Sequence, residues 1–171
     1  ATFSACIAVA LVGMMAQAGM AYLTNVYLQS AVGRDVLVAA LAGLPMAITI
    51  AVFSIGAERV TARVGVPRAL TGALLLAALG NLGIVALDLS SPLWWFMAFT
   101  AVAGAGYGIQ FALVTDVVVG SVPPAHSGAA SGISETSFEL GTALGLALFG
   151  SLATAVFVAQ GGGRFADSFG K

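Results

Sequence analysis

Residues 127–159 read SGAASGISETSFELGTALGLALFGSLATAVFVA. Glu135 and Glu139 are the only charged residues in this stretch; the rest is aliphatic, Gly, Phe, Ser or Thr. A run of about 20 predominantly apolar residues is long enough to cross the hydrocarbon core of a bilayer as a helix. Hydrocarbon offers the backbone no water to bond to, so a span without sustained period-two alternation must be helical. The expected fold class is therefore all-α integral membrane. A carboxylate at bilayer depth costs roughly 2.5–3.5 kcal/mol to insert, and chains that keep one generally use it. Two carboxylates at i and i+4 share a face and repel each other. The pair points to protons, cations or both.

The rest of the chain extends the pattern. Four further apolar spans are expected at residues 3–28, 36–57, 69–87 and 93–119, each near the length that crosses a bilayer. Of 171 residues, 60% are hydrophobic and 8% charged, and the mean hydropathy is +1.04. A soluble domain carries about 25% charged residues. The formal net charge of −1 leaves no electrostatic footprint for nucleic acid. The single cysteine, Cys6, lies in an apolar run and reads as a packed thiol.

The connections are short at residues 33–35, 88–92 and 122–126, and residues 160–171 form a polar, Gly-rich tail. Residues 58–68 differ. They hold Arg59, Arg63 and Arg68 and read as a basic loop, which the positive-inside rule places in the cytoplasm. Arg34, Arg164 and Lys171 would then lie outside, but counting only the loops between helices keeps the bias inward. An odd number of spans, no internal repeat and a start at Ala1 are expected of a piece of a larger bundle. Arg outnumbers Lys five to one. Together with the Ala, Gly and Val content, this points to a GC-rich bacterial source and hence to a bacterial inner (cell) membrane.

The last span has two faces. Ser131, Glu135, Glu139 and Thr142 are spaced by four, four and three, forming a polar stripe bordered by Phe138. Ser137, Gly141 and Gly145 form a second stripe of small residues, suited to close approach of another helix. At about 1.5 Å per residue, Glu135 lies roughly 12 Å and Glu139 roughly 18 Å from the cytoplasmic start of the span. The latter depth is near the midplane, where secondary transporters bind substrate and coupling ions. No Lys or Arg lies inside the five spans to neutralise the pair. A structural role, with a basic partner elsewhere, is the alternative.

Other polar residues are less decisive. Gln17, Tyr22, Asn25 and Gln29 form a broad arc on the first span, either as hydrogen-bonding glue or as cavity lining. Tyr107, Gln110, Phe111 and Val114 share a face of the fourth, suited either to planar or cationic ligands or to core packing. Asp116 lies near the cytoplasmic end of that span, and Pro45 is expected to kink the second. Gly104 and Gly108 imitate a phosphate loop, but they follow no strand and read as a helix-packing pair. His126 stands alone, with no partner for metal or triad chemistry. No enzyme activity, metal or cofactor is expected, protons serving as the coupling ion.

Four stretches carry a family resemblance. They are Tyr27-Leu28-Gln29-Ser30 followed by Gly33 and Gly43-Leu44-Pro45, residues 56–68 (GAERVTARVGVPR), residues 115–124, and residues 127–151. With these the chain resembles the C-terminal half of the fourteen-helix drug:proton antiporters of the major facilitator superfamily, the QacA/EmrB/LfrA-like group. The resemblance covers nearly the whole chain and implies missing partners, an N-terminal half and a last helix. It implies that Glu135 and Glu139 take part in cation recognition and proton coupling, and that Asp116 matches an acid at the end of the twelfth helix. Two positions depart from the pattern. Ser134 stands where some relatives have a further acid, and Ala62 replaces the loop motif's usual Asp, so no gating salt bridge is expected there. The expected function is proton-coupled efflux of lipophilic or quaternary-ammonium cations by alternating access. Export of a neutral or anionic metabolite or antibiotic, and a non-transporting scaffold or channel segment, are the alternatives.

Overall fold

A computed structural model describes residues 2–26, 28–29, 35–87 and 91–158. Tyr27, Ser30, Gly33, Arg34, residues 88–90 of the third connection and the expected tail at 160–171 lie outside the described residues. The chain forms α1 (Thr2–Val26), α2 (Val36–Ala42), α3 (Leu44–Val64), α4 (Val66–Val85), α5 (Leu93–Gly120), a 3₁₀ turn at Pro124–His126, and α6 (Ser127–Phe157). No strand occurs among the described residues. Five spans are long and apolar enough to cross a membrane, with α2 and α3 together making one, Val36–Val64.

Sequence chemistry accounts for the breaks. The Asp35 carboxylate accepts a hydrogen bond from the Leu37 N–H at 3.0 Å and caps α2. Gly43 then interrupts the span, and Pro45 falls in the first turn of α3. Proline has no N–H for the carbonyl four residues back, so the helix restarts there, where proline is tolerated.

The basic segment corrects an expectation. Residues 58–68 were expected as a loop, but helix continues through nearly all of them. Arg59 and Arg63 lie in the last turns of α3 and Arg68 in the first turn of α4. Glu, Arg and Ala are strong helix formers, and a cation in the last turn of a helix is stabilised by the macrodipole. The corner itself is one residue, Gly65, at φ 82° and ψ 156°. That region is open essentially to glycine alone, and other residues there are strained by about 1–3 kcal/mol. Gly65→Ala is accordingly expected to lower stability by about 1–3 kcal/mol, read as an earlier thermal unfolding midpoint of the detergent-purified protein. An unchanged midpoint would contradict this corner geometry.

α5 is the hub. α3 and α4 both pack along it, while α1 pairs chiefly with α6. Residues 103–110 of α5 are buried without interruption. Small residues bring the backbones together, since lipid supplies little hydrophobic drive between helices and close packing must hold them. A methyl group added at Gly104 would lie 2.5 Å from the Met46 carbonyl oxygen, and one at Gly108 equally close to that of Ile50. Gly106 meets Ala73 and Ala77 of α4 in the same way. Outside, Ile55, Leu75, Leu79 and Val85 are exposed, as a lipid-facing surface requires. Trp94 and Trp95 stack at 4.2 Å at the start of α5, the end opposite the Gly65 corner. Paired indoles at a span end suit the membrane–water interface.

Candidate functional site

The site is built on α6, which starts after Pro123 and the 3₁₀ turn. One face of the helix is buried through Ala130, Ser134, Ser137, Gly141 and Gly145. A methyl group added at Gly141 would collide with the Leu11 carbonyl oxygen, and one at Gly145 with that of Met15. The small-residue stripe is thus the seam with α1. Ser137 donates to the Ile133 carbonyl at 2.7 Å and Thr142 to that of Phe138 at 2.9 Å, so both hydroxyls are satisfied within the helix. Ser134 is buried, and its hydroxyl has no partner among the described residues.

Glu135 and Glu139 lie on the other face and are exposed, as is Ser131, while Thr142 is half-buried. As i,i+4 neighbours their Cβ atoms are about 5–6 Å apart. Phe138 sits where the two faces meet. It contacts Phe111 edge-on at 5.6 Å, and Phe111 stacks with Tyr107 at 6.5 Å. With 3.6 residues per turn, Glu135 lies about 60° and Glu139 about 100° around α6 beyond Phe138. The carboxylates therefore continue an aromatic series that begins inside the bundle. Every Arg among the described residues stands beside the Gly65 corner. No described basic side chain is placed to neutralise the pair.

Other expected site residues separate from this one. Asp116 is exposed and lines a cleft of about 390 Å³ with Glu58, Ala62 and Val66, formed by α3, α4 and α5 without α6. Of the α1 arc, Gln17 is half-buried, and its Oε1 has no partner among the described residues. Asn25 is exposed and donates to the Ala21 carbonyl at 3.0 Å, Tyr22 leans toward Gly150, and Gln29 is exposed. The α5 face also divides. Phe111 turns toward α6, whereas Tyr107 and Gln110 form the floor of a groove of about 380 Å³ between α1 and α4.

That groove includes residues the sequence reading did not single out. Asn81 of α4 donates to the Tyr107 hydroxyl at 2.8 Å. Gln110 donates through Nε2 to the Val9 carbonyl of α1 at 3.0 Å. Any side chain at Gly13 would occupy the place of the Gln110 amide. The available signal was Asn81 itself, the only amide in its span.

Residues 4–163 match the family model described as Major Facilitator Superfamily. The chain belongs to this superfamily. Its members are transporters rather than enzymes, and this one is a multi-pass membrane protein. It is 30% identical over 139 residues to the multidrug efflux pump LfrA of Mycolicibacterium smegmatis, covering 81% of this chain and 28% of that protein. It is 33% identical over 156 residues to a probable actinorhodin transporter of Streptomyces coelicolor, covering 88% and 27%. The methyl viologen resistance protein SmvA of Salmonella typhimurium is 30% identical over 98 residues, covering 57% and 20%. The chain thus spans less than a third of the length of the curated relatives it matches. No solved structure matches it. In this superfamily member the two carboxylates lie in mid-span on the exposed face of α6, next to the face bordered by Phe138.

Proposed function

We propose that the chain is part of a proton-coupled multidrug efflux transporter that exports lipophilic or quaternary-ammonium cations by alternating access. The observation that carries this reading is the carboxylate face of α6, which runs on from Phe111 and Phe138 and lacks a described basic partner. A carboxylate can hold a proton or a cation, and occupancy by one displaces the other. Phe111 and Phe138 supply π-faces that attract cations. The bundle then rocks against an N-terminal half to expose the site on the opposite side. In this reading the Arg corner is cytoplasmic, the membrane is the bacterial inner membrane, and Glu139 is the deeper shared site with Glu135 as its partner. Asp116, in the corner cleft, takes a supporting part. The likeness to the multidrug efflux pump LfrA favours drug export, and the likeness to the methyl viologen resistance protein SmvA favours cationic drugs, since methyl viologen is an organic dication.

The second reading is export of a neutral or anionic metabolite, with the acids serving protons alone. The probable actinorhodin transporter, matched over 88% of this chain, favours it. Superfamily membership favours transport over a passive scaffold.

Carbodiimide modification separates the readings, because the reagent attacks protonated carboxyls in apolar surroundings. In membranes holding the complete transporter, ethidium and methyl viologen are expected to slow modification of Glu135 and Glu139 at least several-fold. Protection by a rise in pH but by neither cation would remove cation binding from the acidic pair.

A further inference from the structure

The helices divide into two bodies. α3 and α4 pack along α5, and α1 packs along α6. Glycine marks the division. Among the described residues, every glycine whose added methyl would strike the backbone of another helix does so inside one body. Gly80, Gly104, Gly106 and Gly108 do so between α5 and its partners, and Gly141 and Gly145 between α6 and α1. A backbone has no rotamers to change, so these close-packed seams hold their register.

The boundary between the bodies is built differently. Gly13 of α1 faces across it and meets the Gln110 amide of α5, a side chain rather than a backbone. That amide donates through Nε2 to the Val9 carbonyl at 3.0 Å and so ties the bodies together. Gln110 is fully buried, yet its Oε1 has no hydrogen-bond partner among the described residues. The Oε1 of Gln17 is buried and bare as well. Ala10, Gly13 and Gln17 fall at i, i+3 and i+7 and share one face of α1. Ala10 packs in one buried cluster with Val114 and Val118 of α5. Both bare acceptors therefore lie on the boundary. Buried polar groups are ordinarily paired. A boundary that leaves two acceptors bare is only partly satisfied in this arrangement, and its side chains can pair differently as helices shift.

We infer that α1 and α6 move as one body against α3, α4 and α5, pivoting on the Gln110 amide in its socket at Gly13. This motion lies within the chain and is separate from the rocking of the whole chain against an N-terminal half. Its consequence follows from what each body carries. Glu135, Glu139 and Phe138 ride on α6 and Phe111 on α5, so the motion opens or closes the 5.6 Å contact of the two rings beside the acids. That consequence rests on the efflux reading, whereas the motion does not.

The test uses the complete protein that carries this chain, with its native cysteines replaced by Ala. Spin labels at Leu82→Cys on α4 and Leu152→Cys on α6, both exposed positions, report the distance between the bodies in nanodiscs. Labels at Leu82→Cys and Val52→Cys, on α4 and α3, report within one body. The first pair should give two distances about 2–5 Å apart, from an ordinary helix shift to one helical turn, and the second pair a single distance. Gly13→Cys with Gln110→Cys places two thiols in the socket. Their oxidation should slow ethidium efflux from inverted vesicles about ten-fold or more, and dithiothreitol should restore it. If the reduced form of that variant is inactive or does not accumulate, Ala10→Cys with Val114→Cys, from the cluster on the same boundary, takes its place. A single distance for the first pair, with and without ethidium, would overturn the inference. So would an oxidised, cross-linked protein that exports ethidium at the normal rate. Two distances whose populations ethidium leaves unchanged would overturn the efflux reading alone.

Discussion

Glu139→Gln is expected to lower proton-driven ethidium efflux by the complete transporter about 10- to 100-fold and to remove its dependence on a pH gradient. The amide keeps the size and hydrogen-bonding reach of the carboxyl but holds neither a negative charge nor an exchangeable proton. A carboxylate and a cation about 6–8 Å apart attract by roughly 2–3 kcal/mol at an effective dielectric constant of about 20, and each 1.4 kcal/mol is about tenfold in affinity. Loss of the charge therefore weakens cation binding by the stated range. Coupling fails separately, because no proton can displace the cargo at a glutamine. Glu135→Gln, closer to the start of α6, should keep a larger share of both activities. The measurement is ethidium release from inverted vesicles with and without an imposed proton gradient. Efflux by Glu139→Gln that stays gradient-dependent and near the normal rate would exclude this carboxylate as the shared site.

The spans were legible because hydropathy reports directly on what the bilayer admits. The same signal misplaced the end of the second span. Charges at Glu58, Arg59 and Arg63 lower hydropathy without weakening a helix, so α3 runs on to Val64. Hydropathy describes the solvent, whereas the helix ends where one backbone conformation demands glycine, at Gly65. The acidic pair was legible because its insertion is expensive, and the stripe of Ser137, Gly141 and Gly145 because small residues recurred at helical spacing. What remained hidden depends on which helix lies opposite. Asn81 acquires meaning only beside Tyr107, 26 residues away, and Gly13 only beneath Gln110. Tyr107, Gln110 and Phe111 share one side of α5 in sequence. The neighbouring helices divide that side, α1 and α4 taking the first two and α6 the third.

Gly145→Leu is expected to be strongly destabilising, whereas Gly132→Leu, the same change on the same helix, should leave stability nearly unchanged. At Gly145 the new side chain meets the backbone of α1 at Met15, which cannot rotate aside as a side chain does. Overpacking of this kind costs about 1–3 kcal/mol, occasionally more, and a backbone obstacle favours the upper end. At Gly132 nothing lies within 4 Å. By helical spacing Gly132 also falls on the face of Glu135 and Glu139, three residues before the first and seven before the second. The pair of variants therefore measures the two faces of one helix with a single probe of size. Thermal unfolding in detergent should show an early transition for Gly145→Leu and a normal one for Gly132→Leu. Gly132→Leu should still slow ethidium efflux, because added bulk there narrows the approach to the acidic pair without disturbing the seam with α1. Equal destabilisation by both substitutions would mean that the carboxylate face is packed against another helix throughout, and would remove the open passage that cation exchange at Glu139 requires.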